Sequence, residues 1–316
     1  MRNAIVLAAG KGTRMHSDLP KVLHKIGGMP MAEVIVKNLR KCGAERIVSV
    51  VGYGREEVMK VLEGQCEFAV QEPQLGTGHA VMQARQLEGE SGVTLVVNGD
   101  AATIQPDTLS ALYDSIDRAD MAVLTVKLDD AGSYGRVIRN EAGDVLKIVE
   151  FKDCSEEEKK VREINTGIYA FRNEKLFEAL KELKNDNAQK EYYITDLVEI
   201  FRNKGWLVTG VLAEDADEVQ GVNDCFELAR SNKWLKEQIN RKWLKAGVQM
   251  ADPDTAYIGP FVEFGRDVEL YPCVHLYGNT VVGNHVTIMP GALLCNVTVK
   301  DGAVVSHGVY EDCELS

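Results

Sequence analysis

The chain has 316 residues, 45% hydrophobic and 27% charged, with a formal net charge of −12. That composition is ordinary for a globular protein, and the length calls for one large domain plus a smaller one. No stretch approaches the roughly 18 apolar residues of a membrane span, and the negative charge disfavours nucleic acid or an anionic membrane as the main partner.

The opening Met1–Gly12 runs from an apolar stretch straight into glycines and lacks the apolar core of a secretion signal, so the cytoplasm is the expected location. Asn3–Leu7 reads as a buried strand, and Met31–Cys42 carries Met31, Val34, Ile35, Leu39 and Cys42 at helical spacing. Strand at Arg46–Val51, helix at Glu56–Leu62, strand at Glu67–Val70 and helix at Thr77–Leu87 follow. Val93–Val97 is a strong apolar strand ending at Asn98-Gly99-Asp100, Pro106–Ser115 opens with a proline suited to a first helical turn, and Met121–Val126 is another strand. This alternation predicts a parallel sheet with helices on both faces. Arg136–Arg139 and Val145–Phe151 flank a hairpin loop, and Asn165–Phe171 returns to the main sheet. After two helical stretches comes a strand at Leu207–Leu212. A long helical pattern from Asn223 to Ala246 has Phe226, Leu228, Ala229, Trp234, Leu235, Ile239 and Trp243 as its apolar positions.

From Tyr257 the period becomes six. Ile258, Phe264, Leu270, Leu276, Val282, Ile288 and Leu294 form one register, and Val262, Val268, Val274, Thr280, Val286, Ala292 and Thr298 a second. Two sustained hexad registers predict a parallel β-helix of roughly two and a half coils at about 18 residues each. The seven cysteines form no Cys-x-x-Cys pair and read as reduced thiols, with the wrong spacing for zinc.

Three features carry chemistry. Leu7-Ala8-Ala9-Gly10-Lys11-Gly12-Thr13-Arg14 follows the first strand, where glycines let a backbone approach a phosphate and successive N–H groups can nest an anion. It is neither a Walker A loop nor a Gly-x-Gly-x-x-Gly fingerprint. Lys21, just after Pro20, can act as a point charge on a phosphate. Asp100 stands at a strand end, where ligands of open α/β sheets gather.

LAAGKGTRM followed by LPKVLHKIGGMPM resembles the opening of the sugar nucleotidyltransferases, and within them the N-acetylglucosamine-1-phosphate uridyltransferases. Further blocks keep the order of that family: QEPQLGTGHA at 71–80, NGD at 98–100, YGRVIR at 134–139, IVEFKD at 148–153, EINTGIYAF at 163–171 and GVND at 221–224. The resemblance implies an α/β fold, a Rossmann-like mostly parallel sheet with helices on both faces, followed by a short left-handed parallel β-helix. The expected division is a nucleotidyltransferase domain at 1–222, a connecting helix at 223–250 and the β-helix at 251–316.

Carried over residue by residue, the resemblance implies that Gly10, Gly12 and Arg14 surround the nucleotide phosphates, with Ala8 and Ala9 near the base and Leu7 among the substrate-binding residues. Lys21 would touch the sugar phosphate and the transition state, and Gln71, Gly76 and Thr77 would read uracil. Asp100, after Gly99, would hold Mg²⁺ with Asn223, while Gly135, Glu150 and Asn165 would line the sugar pocket. Arg14, Lys21 and Asp100 are the expected catalytic residues. Bland alternatives stand beside these roles. Asn223 and Thr77 could be helix caps, Glu150 and Asn165 could merely face solvent, and His79 reads as a packed helix residue rather than a base. The family follows Gly-Asp with one residue and then proline; here the run is Gly99-Asp100-Ala101-Ala102-Thr103, a departure that falls on the loop beside Asp100.

The implied reaction is attack of N-acetylglucosamine-1-phosphate on the α-phosphorus of UTP, releasing pyrophosphate. No acetyl transfer is expected, because the family's second site lies further along the β-helix, and a homotrimer is expected through the coils. Another nucleotide or sugar phosphate, or a non-catalytic binder or trimeric scaffold, remains the alternative.

Overall fold

The computed structural model describes residues 1–187 and 189–316. Two compact units result: residues 1–23 with 31–224, and residues 24–30 with 225–316.

In the first unit the strands are β1 (Arg2–Ala8), then, past the Lys25–Ile26 and Met29–Pro30 hairpin (β2, β3) of the second unit, β4 (Arg46–Val51), β5 (Glu67–Val70), β6 (Val93–Asn98), β7 (Met121–Lys127), β8 (Arg136–Arg139), β9 (Val145–Val149), β10 (Glu163–Arg172) and β11 (Val208–Leu212). The described residues build a nine-stranded sheet ordered β11-β7-β10-β6-β1-β4-β5, with the β8–β9 hairpin branching from β10. β1 pairs parallel with both β4 and β6, and β10 runs antiparallel between β6 and β7. Ala4, Ile5 and Val6 are all fully buried, so β1 is covered on both faces. Helices α1 (Met31–Lys41) and α4 (Pro106–Ser115) pack together, and α2 (Arg55–Val61) lies against β4; α3 (Thr77–Gln83), α5 (Asn173–Leu180) and α6 (Leu197–Asn203) form a second contiguous group, and the short α7 (Ala216–Val219) contacts β7. Around the latter lies a core of Ile5, Val96, Met121, Tyr169, Phe171 and Phe201. The chain leaves β1 toward β4 and later returns to its other side as β6. This reversal of strand order opens a crevice at the carboxyl ends of β1 and β6.

Several boundaries differ from the sequence reading. The helix expected at Thr77–Leu87 is α3 to Gln83, then a break at Ala84 and a 3-10 turn at Arg85–Leu87. The strand expected to reach Phe151 stops at Val149, because Phe151–Asp153 coils into a 3-10 turn.

In the second unit, α8 (Cys225–Lys245) begins two residues after Asn223. Its buried positions include Ser231, Leu235, Ile239 and Asn240, whereas Phe226, expected on the apolar face, is 79% exposed. Asn240 is buried because its amide donates to the carbonyls of Pro253 and Ala256. Short strands from Gln249 to Leu315 stack in three parallel sheets of four, the pattern of a left-handed β-helix. The coil number is therefore larger than the predicted two and a half. Early partners such as Tyr257 and His275 are 18 apart, but Ile288 pairs with Val305 and Leu294 with Tyr310. The coils shorten, the six-residue period slips, and Val297 rather than Thr298 is buried. Stacked corner side chains hold the turns: Asn284 Oδ1 accepts from the Arg266 N–H at 3.0 Å, and Asp301 Oδ1 from the Asn284 N–H at 2.7 Å.

Candidate active site

At the end of β1 the Ala9 carbonyl accepts from the Tyr53 N–H (3.1 Å) and from the Gln74 side-chain amide. The loop then turns at Gly12, whose φ of 64° lies in the left-handed region and where a Cβ would overlap the Lys21 side chain. Met15 anchors the following 3-10 turn by burial, and Arg14 stays exposed. Lys21 opens a second 3-10 turn whose Val22 and Leu23 are buried, so its Cα is fixed by packing.

Where β6 ends, the Gly99 N–H donates to the Leu7 carbonyl at 2.8 Å. A Cβ at Gly99 would come 2.7 Å from that oxygen, so glycine lets the two strand ends touch and delivers Asp100 beside the β1 loop. The Asp100 carbonyl accepts from the Val222 N–H at 3.1 Å, which ties the 221–223 segment to the same place. Lys21 Nζ forms an ion pair with Asp100 and stands 3.3 Å from Asn223 Oδ1. Residues far apart in sequence thus meet at one point, with the side chains of the ion pair about 15% exposed. The loop lacking proline is held by other means. Ala101 and Ala102 are buried, and the Thr103 hydroxyl donates to the Glu218 carbonyl at 2.8 Å.

A cleft of about 380 Å³ opens here, lined by Leu7, Ala9, Gly10, Lys21, Gln71, Gly76, Thr77 and Asp100 among others. Gln71 follows β5 and donates its N–H to the Val51 carbonyl at 2.8 Å. Gly76 has φ 104°, and a Cβ there would lie 2.6 Å from the Tyr192 carbonyl. The Thr77 hydroxyl does not cap α3; it accepts from the Ile194 N–H at 3.2 Å.

Gly135, Glu150 and Asn165 gather separately. The Asn165 N–H donates to the Gly135 carbonyl at 2.9 Å, and a Cβ on Gly135 would be 3.5 Å from the Glu150 carboxylate. Asn165 is not merely solvent-facing: its amide donates to the Tyr169 hydroxyl at 2.6 Å, and its Oδ1 accepts from the Gly167 N–H at 3.0 Å. The bulge between Asn165 and Tyr169 permits this. Burial pushes Glu150 above the usual carboxylate range, opposed by a hydrogen bond from Thr195. Ala8, Gly12, Arg14, Gly99 and Asn223 lie outside the cleft lining, although Gly12 and Asn223 both adjoin Lys21. Sequence reasoning missed five lining residues, Val22, Gln74, Ala80, Asn98 and Glu191. Val22, Gln74, Ala80 and Asn98 stand inside motifs already noticed; Glu191 alone becomes a neighbour of the site only through tertiary folding.

Chemically, one carboxylate and one amide oxygen converge on a cation. Both are hard oxygen donors suited to a divalent ion, but two are too few without substrate phosphates and water. The Lys21 ammonium already sits between them, so the residues present fit such an ion.

The profile of the MobA-like NTP transferase domain matches residues 4–198. The bifunctional protein GlmU of Exiguobacterium sibiricum is 45% identical over 315 residues, covering 99% of this chain and 70% of that protein. GlmU of Geobacillus thermodenitrificans is 44% identical with 99% and 69% covered, and GlmU of Limosilactobacillus reuteri 42% with 99% and 70%. The chain belongs to this family of nucleotidyltransferases and is an enzyme of that class.

Proposed function

We propose that this GlmU-family nucleotidyltransferase moves a uridylyl group from UTP to N-acetylglucosamine-1-phosphate, giving UDP-N-acetylglucosamine and pyrophosphate. The observation that carries the reading is the meeting of Lys21, Asp100 and Asn223 beside a cleft that Leu7, Ala9 and Gly10 of the glycine loop help to line. The sugar phosphate is already an anion, so the reaction needs no strong base; it needs two polyanions brought together. Lys21 supplies a fixed charge for the attacking and bridging phosphate oxygens, and Gly10 leaves the backbone open to the triphosphate. Arg14, exposed beside them, would close on the phosphates. Mg²⁺, held by Asp100 and Asn223, would neutralise phosphate charge during transfer. Gln71, Gly76 and Thr77 would read the base, and Gly135, Glu150 and Asn165 the sugar hydroxyls and acetamido group.

Cys42, Cys66, Cys154, Cys273, Cys295 and Cys313 are free thiols, which fits a reducing compartment and supports the cytoplasm as the location. No helix among the described residues is long and apolar enough to cross a membrane. Exposed Val281, Val304 and Val309 on the short strands support association of the coils as a homotrimer, which light scattering would test. The reading assigns these residues nucleotidyl transfer and no acetyl transfer; acetylation of glucosamine-1-phosphate from acetyl-CoA by the purified chain would overturn that part.

The deciding assay is pyrophosphate release with N-acetylglucosamine-1-phosphate and Mg²⁺, run in parallel with UTP, dTTP, CTP and GTP. Release with UTP is the expected result. Release with another nucleotide alone keeps the reaction class and discards the base assignment. Silence with every nucleotide, and with glucose-1-phosphate as acceptor, favours a non-catalytic binder.

A further inference from the structure

The Gln71 side chain is 5% exposed and reaches the cleft, yet its amide group is committed on the inner side. Its Nε2 donates to the Gly76 carbonyl at 2.9 Å and lies 3.2 Å from His79 Nδ1. A carbonyl can only accept, so the end of Gln71 facing Gly76 is the NH₂ group, and the same NH₂ faces the imidazole. Nδ1 accepts from that NH₂ when it is the unprotonated ring nitrogen. The two donors of Gln71 are used, and Oε1 is left as an acceptor for the ligand.

His79 is itself held in place. It projects from α3, its ring lies 6.2 Å from that of Tyr192, and the Gln83 amide is 3.1 Å from its Nε2 while donating to its backbone carbonyl at 2.9 Å. Side-chain NH₂ groups thus face both ring nitrogens, of which a neutral imidazole accepts at one only. Gln83 has the His79 carbonyl as its acceptor, whereas the second Gln71 N–H has only Nδ1 among the described residues, which favours the tautomer with Nδ1 accepting. An imidazolium would present N–H to each NH₂ group, and burial also pulls the His79 pKa below its usual value. His79 does not line the cleft.

We infer that His79 is a positioning residue for base selection: its unprotonated Nδ1 locks the Gln71 amide with the oxygen toward the ligand. This rests on the reading of Gln71 as the base reader. Uracil offers an N3–H donor at the edge where cytosine offers an N3 acceptor. A fixed Oε1 accepts from the first and repels the second. Without His79, one buried N–H loses its partner, the amide can turn over, and the discrimination weakens.

The test compares steady-state kinetics of the whole chain and its His79→Ala and His79→Asn variants with UTP and CTP. An unpaired buried donor is worth about a tenfold change. His79→Ala is expected to raise the KM for UTP and to lower the UTP-over-CTP preference in kcat/KM by about that factor, with kcat nearly unchanged. His79→Asn, whose amide oxygen can accept in place of Nδ1, should recover most of the preference. A His79→Ala enzyme with unchanged KM and preference refutes the inference. If the wild-type chain does not prefer UTP over CTP, the base assignment itself fails and this inference falls with it. Should His79→Ala not fold, histidine ¹⁵N spectra of the wild-type chain decide the matter: an unprotonated Nδ1 on His79 is required, and an Nδ1–H tautomer overturns it.

Discussion

The Lys21 ammonium is paired with the Asp100 carboxylate and lies 3.3 Å from the Asn223 amide oxygen, so one side chain bridges two segments that a magnesium ion would also join. On the proposed reading, a cation held by Asp100 and Asn223 would occupy those oxygens and leave Lys21 available to phosphate.

On the proposed reading, Lys21→Ala would remove a charge from the reacting phosphates. Turnover should fall by about 100-fold or more, the scale of losing one transition-state donor. Steady-state pyrophosphate release at saturating substrates checks this; near wild-type turnover would remove Lys21 from the mechanism.

Asp100→Ala should abolish metal-dependent turnover, and chelation with EDTA should silence the wild-type enzyme until Mg²⁺ is restored. Titrating Mg²⁺ against rate for both proteins is the measurement. A variant that keeps the wild-type metal response would place the ion elsewhere.

Gly12→Ala tests the loop without touching a charge. Its φ of 64° is strained for alanine by about 1 kcal/mol, and the new Cβ would overlap the Lys21 side chain. Turnover should fall by roughly tenfold, with only a small loss in urea midpoint. Equal activity of the two proteins would show that the loop and Lys21 are not mechanically linked.

Asp196 gives a pH-dependent prediction. Burial, reinforced by Glu199, Asp186, Glu150 and Asp153, pushes its carboxyl up to about 6. Unfolded, it should titrate near about 3.9. Between these values the folded chain binds the extra proton, so stability falls as pH rises through this window and the deficit is complete above it. Asp196→Asn removes the deficit. Allowing for solvent screening of a half-buried group, the variant should gain roughly 1 kcal/mol at pH 8 and almost nothing below about pH 4. Urea unfolding at both pH values measures it; an equal gain at both would assign the effect to packing instead.

Much of the fold was legible because its signals are local. The apolar runs Arg46–Val51 and Glu67–Val70 and the proline-led Pro106–Ser115 match the observed bounds, since β-branched burial and a proline at the first turn act within a few residues. The break at Ala84 in the helix expected to Leu87 was not legible because no strictly local term marks it. The later coils were undercounted because shortening each by a residue or two erases a six-residue period while keeping the inward-facing side chains buried.

The sequence by itself determined the two architectures and which polar residues stand at strand ends, because side-chain periodicity and glycine placement are written along the chain. Tertiary structure alone decided that Lys21, Asp100 and Asn223 share one point, that Thr77 serves Ile194 rather than its own helix, and that His79 faces Gln71. Those contacts depend on the order in which strands lie in the sheet and on close backbone approaches at Gly99 and Gly76, and neither distance exists until the sheet has closed.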